Sequence, residues 1–172
     1  ARNTTLGFLA TYNLLGGIAV FFDTSGMHYP LLILTVHSYL WHILLIVTGI
    51  LSGILLVQKS ATVPSLSYSK DMKRQLTDAS MHHLLPSFSR ITLLYILFAL
   101  IAEYLNHILD SFGEINLFYI NPDYQMTQIF FVKIGELCGN NLAILVYILA
   151  TIFGAGILYG FWNILIHICS SH

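Results

Sequence analysis

Long apolar runs dominate the pattern of hydrophobic and polar positions along the chain. A helix needs about 17 to 25 apolar residues to cross a hydrocarbon core. Four runs meet this length, at residues 6–22, 30–57, 91–109 and 141–168. The pattern therefore predicts an all-α, polytopic membrane helix bundle with four spanning helices.

A shorter apolar stretch at residues 124–139 lies between the third and fourth predicted helices. It is interrupted by polar residues, so it is too short and too polar to span a membrane. We expect it to form an interfacial or re-entrant helix that caps the outer side of the bundle. The chain, residues 1–172, is then a single membrane domain with a cytoplasmic loop at 58–90 and an outer loop at 110–140.

The composition of the chain is typical of a membrane protein, and the positions of its charged residues predict its orientation in the membrane. Hydrophobic residues make up 56% of the chain and charged residues 9%, with a mean hydropathy of +0.76, whereas soluble domains average about 25% charged residues. Most of the Lys and Arg residues fall in the 58–90 loop, and basic loops near helix ends stay on the cytoplasmic side. We expect both termini to be cytoplasmic, membrane lipids to be partners, and no nucleic acid to bind.

Several ionisable and amide side chains interrupt the predicted spanning helices. Such groups are costly in lipid and usually mark a site or pathway. Glu103, Asn106 and His107 have the spacing i, i+3 and i+4, which places them on one face, where Glu103 could orient the His107 imidazole. Counting helical rise from the outer ends puts His37 and Asn13 in the same outer layer. The alternative is that these groups only hydrogen-bond between helices, at about 0.6 to 2 kcal/mol each.

The histidine and cysteine positions give little support for a metal site or for a disulfide. His37 and His42 are five positions apart, which is about 140° around a helix, so they do not converge on one ion. Cys138 and Cys169 lie at opposite ends of the fourth predicted helix and cannot pair with each other. We predict no metal and no cofactor.

Glycine pairs at small-xxx-small spacing occur in the second and fourth predicted helices. These are Gly49 with Gly53, and Gly156 with Gly160. Small residues at this spacing let two backbones approach closely in lipid. We predict that the two helices pack together through these positions.

Part of the sequence resembles a known family. The runs GGIAVFFDTSGMHYP and HSYLWHILLIVTG, and later NHILDSFGEINLFYINPDYQ and the residues after it, are similar to the YwaF-like family of bacterial integral membrane proteins. A vertebrate relative of that family is a phospholipid acyltransferase. The resemblance covers residues 16–152, and the matching positions are Gly16, Gly17, Asp23, His37, Asn106, Asn116, Tyr119 and Pro122. It implies a multi-pass protein of the bacterial cytoplasmic membrane.

The resemblance makes a phospholipid acyl transferase, or a remnant of one, the first functional hypothesis. His107 or His37 would be the general base and Glu103 the orienting carboxylate. The oxyanion donors and substrate-binding residues would be Asn106, Asn13, Asn116 and Tyr119. The family carries an LPLxLC-like segment with the proposed Cys nucleophile in further N-terminal helices, and this chain, which begins at Ala1, has no such segment. An enzyme is therefore expected only if preceding helices supply the nucleophile.

The second hypothesis is a non-enzymatic membrane subunit or a module that binds or transports a small solute. The same polar layer would then line a cavity rather than perform chemistry. Four helices without detectable inverted repeats are not expected to form a complete transporter. This hypothesis therefore includes a partner subunit or a homo-oligomer.

Overall fold

In a computed structural model of the protein, residues 2–61 and 86–170 are described, and every regular element within them is helical. Most of the predicted 58–90 loop thus lies outside the described residues. A π-helical turn, Leu9–Asn13, joins the first two helices, and short 3₁₀ turns occur at Ser25–Met27, Asp110–Phe112 and Leu117–Tyr119. The helices are α1 (Arg2–Phe8), α2 (Leu14–Ala19), α3 (Leu32–Ala61), α4 (Phe88–Leu109), α5 (Ile129–Cys138) and α6 (Asn140–Ser170).

Three of the described helical stretches are long and apolar enough to cross a membrane. They are Leu32–Lys59, Phe88–Phe112 and Asn140–Cys169, with mean hydropathies of 2.4, 1.7 and 2.3. Between 11% and 28% of their most apolar windows is buried inside the protein. So much exposed apolar surface indicates membrane association, because a soluble monomer rarely carries apolar patches larger than a few hundred Å².

The prediction of four spanning helices is corrected to three. The first predicted span, residues 6–22, lies in a helical segment that begins at Arg2, ends at Ala19 and is divided by the π turn. At the end of that turn the Leu14 N–H bonds to the Leu9 carbonyl, five residues back, and so widens the helix. The pieces are 7, 5 and 6 residues long, so none is a membrane-length helix. The predicted short helix in 124–139 is present as α5.

The helical segment from Arg2 to Ala19, called the N-terminal segment below, runs alongside α3 in the opposite direction. At one end Lys59 Nζ donates to Asn3 Oδ1 at 3.0 Å. At the other end the Gly17 backbone approaches α3 so closely that a Cβ there would lie 3.1 Å from the His42 carbonyl oxygen. The segment also contacts α4 and α6. It therefore packs against all three membrane-length helices.

The π turn leaves backbone and side-chain groups that the rest of the bundle must satisfy. The Ala10 carbonyl accepts a buried hydrogen bond of 2.8 Å from the Trp162 indole of α6. Thr11 Oγ1 donates to the Gly7 carbonyl at 2.7 Å. Because lipid offers no water to such groups, internal partners are required for an irregular helix in an apolar environment. Trp162 therefore fixes α6 against the π turn.

Helices α3 and α6 pack together, as the glycine spacing predicts, although the glycines do not contribute equally. A Cβ on Gly53 would overlap the Trp162 indole, so the ring packs directly on the Gly53 backbone. Gly49 instead packs on the N-terminal segment, where its Cβ would meet Leu14 at 2.7 Å. A Cβ on Gly160 would meet nothing within 4 Å. The close approach between α3 and α6 therefore depends on Gly53.

Candidate functional site

The predicted polar layer is not gathered into one site. His37 is exposed on α3, and His107 is exposed near the end of α4. Helix α3 packs on the N-terminal segment and on α6, while Glu103 belongs to α4. Within the described part of the chain, no hydrogen bond joins Glu103 to His107. Among the described residues, the proposed orienting carboxylate Glu103 therefore makes no hydrogen bond to either proposed base.

Asn106 is the most buried member of that layer, with 1% of its surface exposed. Its Oδ1 accepts from the Leu117 N–H at 2.7 Å, and its Nδ2 donates to the Leu117 carbonyl at 3.2 Å. The amide therefore binds both the N–H and the carbonyl of Leu117, the same pair of hydrogen bonds that one strand makes to a residue of its neighbour. Asn106 fixes this loop onto α4.

Asn13 lies elsewhere, at the interface between the π turn and α3. Its Nδ2 donates to the Leu45 carbonyl at 2.8 Å and to Thr48 Oγ1 at 3.1 Å. A side-chain amide has two N–H donors, and both of them are used here. Asn13 therefore joins the N-terminal segment to α3.

The loop that Asn106 holds contains two consecutive aromatic residues in the left-handed region. Phe118 has φ 59° and Tyr119 has φ 58°, a conformation that is an outlier for bulky residues. Side-chain amides brace the turn, because Asn116 Oδ1 accepts from the Asn121 N–H at 2.9 Å and Asn121 Nδ2 donates to the Ile115 carbonyl at 2.8 Å. The predicted substrate-binding residue Asn116 is thus part of the loop scaffold.

Tyr119 connects this loop to the one formed by residues 20–31. Its hydroxyl lies 3.2 Å from the position that a Cβ would take on Gly26. Burial raises the pKa of Tyr119, and the nearby Tyr29 and Asp23 raise it further because the ionised forms of those side chains would repel a Tyr119 phenolate. The Tyr119 hydroxyl is therefore protonated at neutral pH and can donate a hydrogen bond. The two loops together form what we call the loop end of the bundle.

A cavity of about 310 Å³ lies between α4, α6 and the braced loop. Its walls are mostly apolar, with side chains of Ile96, Ala99 and Leu100 from α4, Ile144 and Ile148 from α6, and Ile120 and Pro122 from the loop. Two of these wall residues, Ile96 and Leu100, are also 41% and 64% exposed. The cavity therefore opens sideways, on the apolar flank of the bundle.

Glu103 supplies the carboxyl group of this cavity. Its Oε2 is shielded from solvent and has no hydrogen-bond partner among the described residues. The other polar side chains that line the cavity, Tyr95 and Asn141, have no buried and unpartnered oxygen or nitrogen atom among the described residues. The amide atoms of Gln128 are also buried without partners, but Gln128 does not line the cavity. Among the described lining residues, Glu103 Oε2 is thus the buried acceptor that has no hydrogen-bond donor.

Comparisons with protein families, with curated proteins and with solved structures find no match to this chain. The site is therefore interpreted from its own geometry. In residues 2–61 and 86–170, no group of three His, Cys, Asp or Glu side chains lies close enough to hold a metal ion. Among the described lining residues, the cavity offers apolar contacts, the Glu103 carboxyl group and the polar groups of Tyr95 and Asn141.

The sequence identified Glu103 but not the cavity around it. The wall brings together residues from α4, α6 and the loop at 120–122, and none of these stands out in an apolar pattern. The useful signal would have been an acidic residue one turn from Ala99, where a small side chain leaves space on the same face. Helical spacing instead grouped Glu103 with His107.

Proposed function

We propose that the protein is an integral membrane protein that binds an apolar chain of a membrane amphiphile in the cavity between α4 and α6, without catalysing a reaction. The sideways opening of this apolar cavity supports the proposal. Its volume of about 310 Å³ is at the lower end of the roughly 300 to 1,000 Å³ typical of ligand pockets. An acyl or alkyl chain from the surrounding bilayer would enter without crossing water.

Binding is favoured over acyl transfer because the two proposed bases do not line the cavity. Acyl transfer needs a base within about 3 Å of the proton that it removes, and a nucleophile. His37 and His107 are exposed and line no part of the cavity, and both Asn13 donors are used. The YwaF-like resemblance is compatible with a lipid-binding role, and catalysis in this chain would require a nucleophile from another segment.

In this proposal the three membrane-length helices cross the bacterial cytoplasmic membrane. Lys59 lies in the last turn of α3 and Arg90 in the first turn of α4, while Asp110 and Asp123 belong to the loop end. Because basic residues are retained in the cytoplasm, the loop end would face outward. The N-terminal segment would pack against all three of these helices, and the ligand would come from the outer leaflet.

Filling the cavity tests the proposal. Replacing Ile144, which lines the cavity, with tryptophan should lower the affinity for dodecylamine about tenfold or more, since the indole would occupy the space for the chain. The matched control is Leu145→Trp, because Leu145 is 52% exposed and lies outside the cavity. Binding of tritiated dodecylamine to protein in lipid nanodiscs, with empty nanodiscs subtracted, would measure both. An unchanged affinity in Ile144→Trp, or no saturable binding to the wild type, would argue against a chain site.

A further inference from the structure

Building on the proposed chain site, we infer that Glu103 selects the head group of the ligand, and that the ligand is a long-chain amphiphile with a hydrogen-bond-donating, cationic amine head. The observation is the Glu103 Oε2 atom, which faces no donor although it is shielded from solvent. Buried polar atoms in proteins are normally hydrogen-bonded, and an exception calls for an explanation. A ligand that supplies the missing donor is such an explanation.

The chain itself offers Glu103 little compensation. Within residues 2–61 and 86–170, no Lys, Arg or His side chain lines the cavity. His107, one turn further along α4, would be the natural internal partner, but it is exposed and no hydrogen bond joins the two within the described residues. If Glu103 served only to pack helices together, its carboxyl would be expected to bond across an interface, as Asn13 and Asn106 do. The carboxyl is therefore available to a ligand.

The position of Glu103 also gives the ligand an orientation. Glu103 lies six residues before Leu109, where α4 ends and the chain enters the loop end, and Tyr95 lies eight residues earlier on the same helix. Eight residues of α-helix span about 12 Å. The head would lie at the Glu103 level, and the chain would extend along α4 toward Tyr95. Only the head then meets a charged group.

Charge complementarity sets the expected order of ligands. An ammonium group donates hydrogen bonds and carries the opposite charge, whereas a hydroxyl only donates. A fatty acid would place a second carboxylate beside Glu103, and like charges repel at close range. For the same chain length we therefore expect the amine to bind best, the alcohol less well and the acid least.

Nanodisc binding of dodecylamine, dodecanol and dodecanoic acid to the wild type and to Glu103→Gln tests this inference. The amine should lose about tenfold or more in affinity in Glu103→Gln, because the charge is removed and the shape is kept, while dodecanol should change by less than about threefold. Glu136→Gln is the control, since Glu136 is exposed on α5 and should leave all three affinities unchanged. Equal binding of amine and acid by the wild type, or amine binding that survives in Glu103→Gln, would overturn the inference.

The outcomes separate this inference from the chain site on which it rests. If all three probes bind the wild type equally and Ile144→Trp abolishes their binding, the chain site stands and head-group selection is wrong. If none of the probes binds saturably, both are wrong. Glu103→Gln is isosteric, and its elution by size exclusion beside the wild type establishes that lost binding does not reflect misfolding.

Discussion

Replacing Gly53 by alanine is expected to destabilise the bundle by about 1 to 3 kcal/mol, the usual cost of overpacking a filled interface. The new methyl group would overlap the Trp162 indole. The ring has little room to move, because its N–H donates to the Ala10 carbonyl in the π turn and 6% of its surface is exposed. Relief would require α3 and α6 to separate. That movement would weaken the hydrogen bond that satisfies the π turn.

The matched control for this change is Gly160→Ala, in α6. A Cβ there would meet nothing within 4 Å, so the same substitution adds no overlap, and alanine has the higher helix propensity. Reversible unfolding of the purified protein in mixed detergent micelles, followed by circular dichroism, would give both free energies. A Gly53→Ala variant as stable as Gly160→Ala would show that the α3–α6 interface tolerates the added volume.

Replacing Asn106 by leucine is expected to cost about 2 to 4 kcal/mol. Leucine has a similar volume but no amide, so the Leu117 N–H and carbonyl would both lose their partner. Each loss should cost about 1 to 2 kcal/mol, the lower part of the range for buried groups, because both bonds are part-buried. The loop itself should also become less stable, because Phe118 and Tyr119, which are in the left-handed conformation, would lose their attachment to α4. Hydrogen exchange at residues 115–121 should therefore accelerate.

Asn141→Leu is the control, because Asn141 lies at the beginning of α6 and is exposed. It should change neither the free energy of unfolding nor the exchange of the loop. The comparison also separates two roles for Asn106. If Asn106→Leu keeps full stability and slow exchange in the loop, the side chain does not fix the loop, and the predicted role in binding a substrate becomes the better explanation.

The long apolar runs predict the membrane-length helices well, because length and composition suffice for them. The predicted 91–109 and 141–168 correspond to Phe88–Leu109 and Asn140–Ser170. The first run was predicted as one spanning helix because hydropathy does not show the π turn that divides the segment from Arg2 to Ala19 into short pieces. The π turn at Leu9–Asn13 also depends on partners elsewhere, including Trp162, which is 152 residues from Ala10.

The candidate site was less predictable than the helices. Spacing places Glu103, Asn106 and His107 near one another on α4, but it does not specify which of them meets another element. The loop after α4 folds back so that Leu117 meets Asn106, and this path is set by the Asn116 and Asn121 hydrogen bonds. The cavity beside Glu103 then arises between three separate elements, which no local pattern records.

Photo-crosslinking tests most directly whether the cavity binds a chain from the bilayer. A dodecylamine that carries a diazirine on its chain would be titrated into the protein in nanodiscs, and labelled residues would be identified by mass spectrometry. Labelling of Ala99 and Ile148, which line the cavity, should saturate with probe concentration, while labelling of the exposed Phe153 and Ile157 should rise linearly as for bulk lipid. Linear, unsaturated labelling at all four positions would contradict a chain-binding site between α4 and α6.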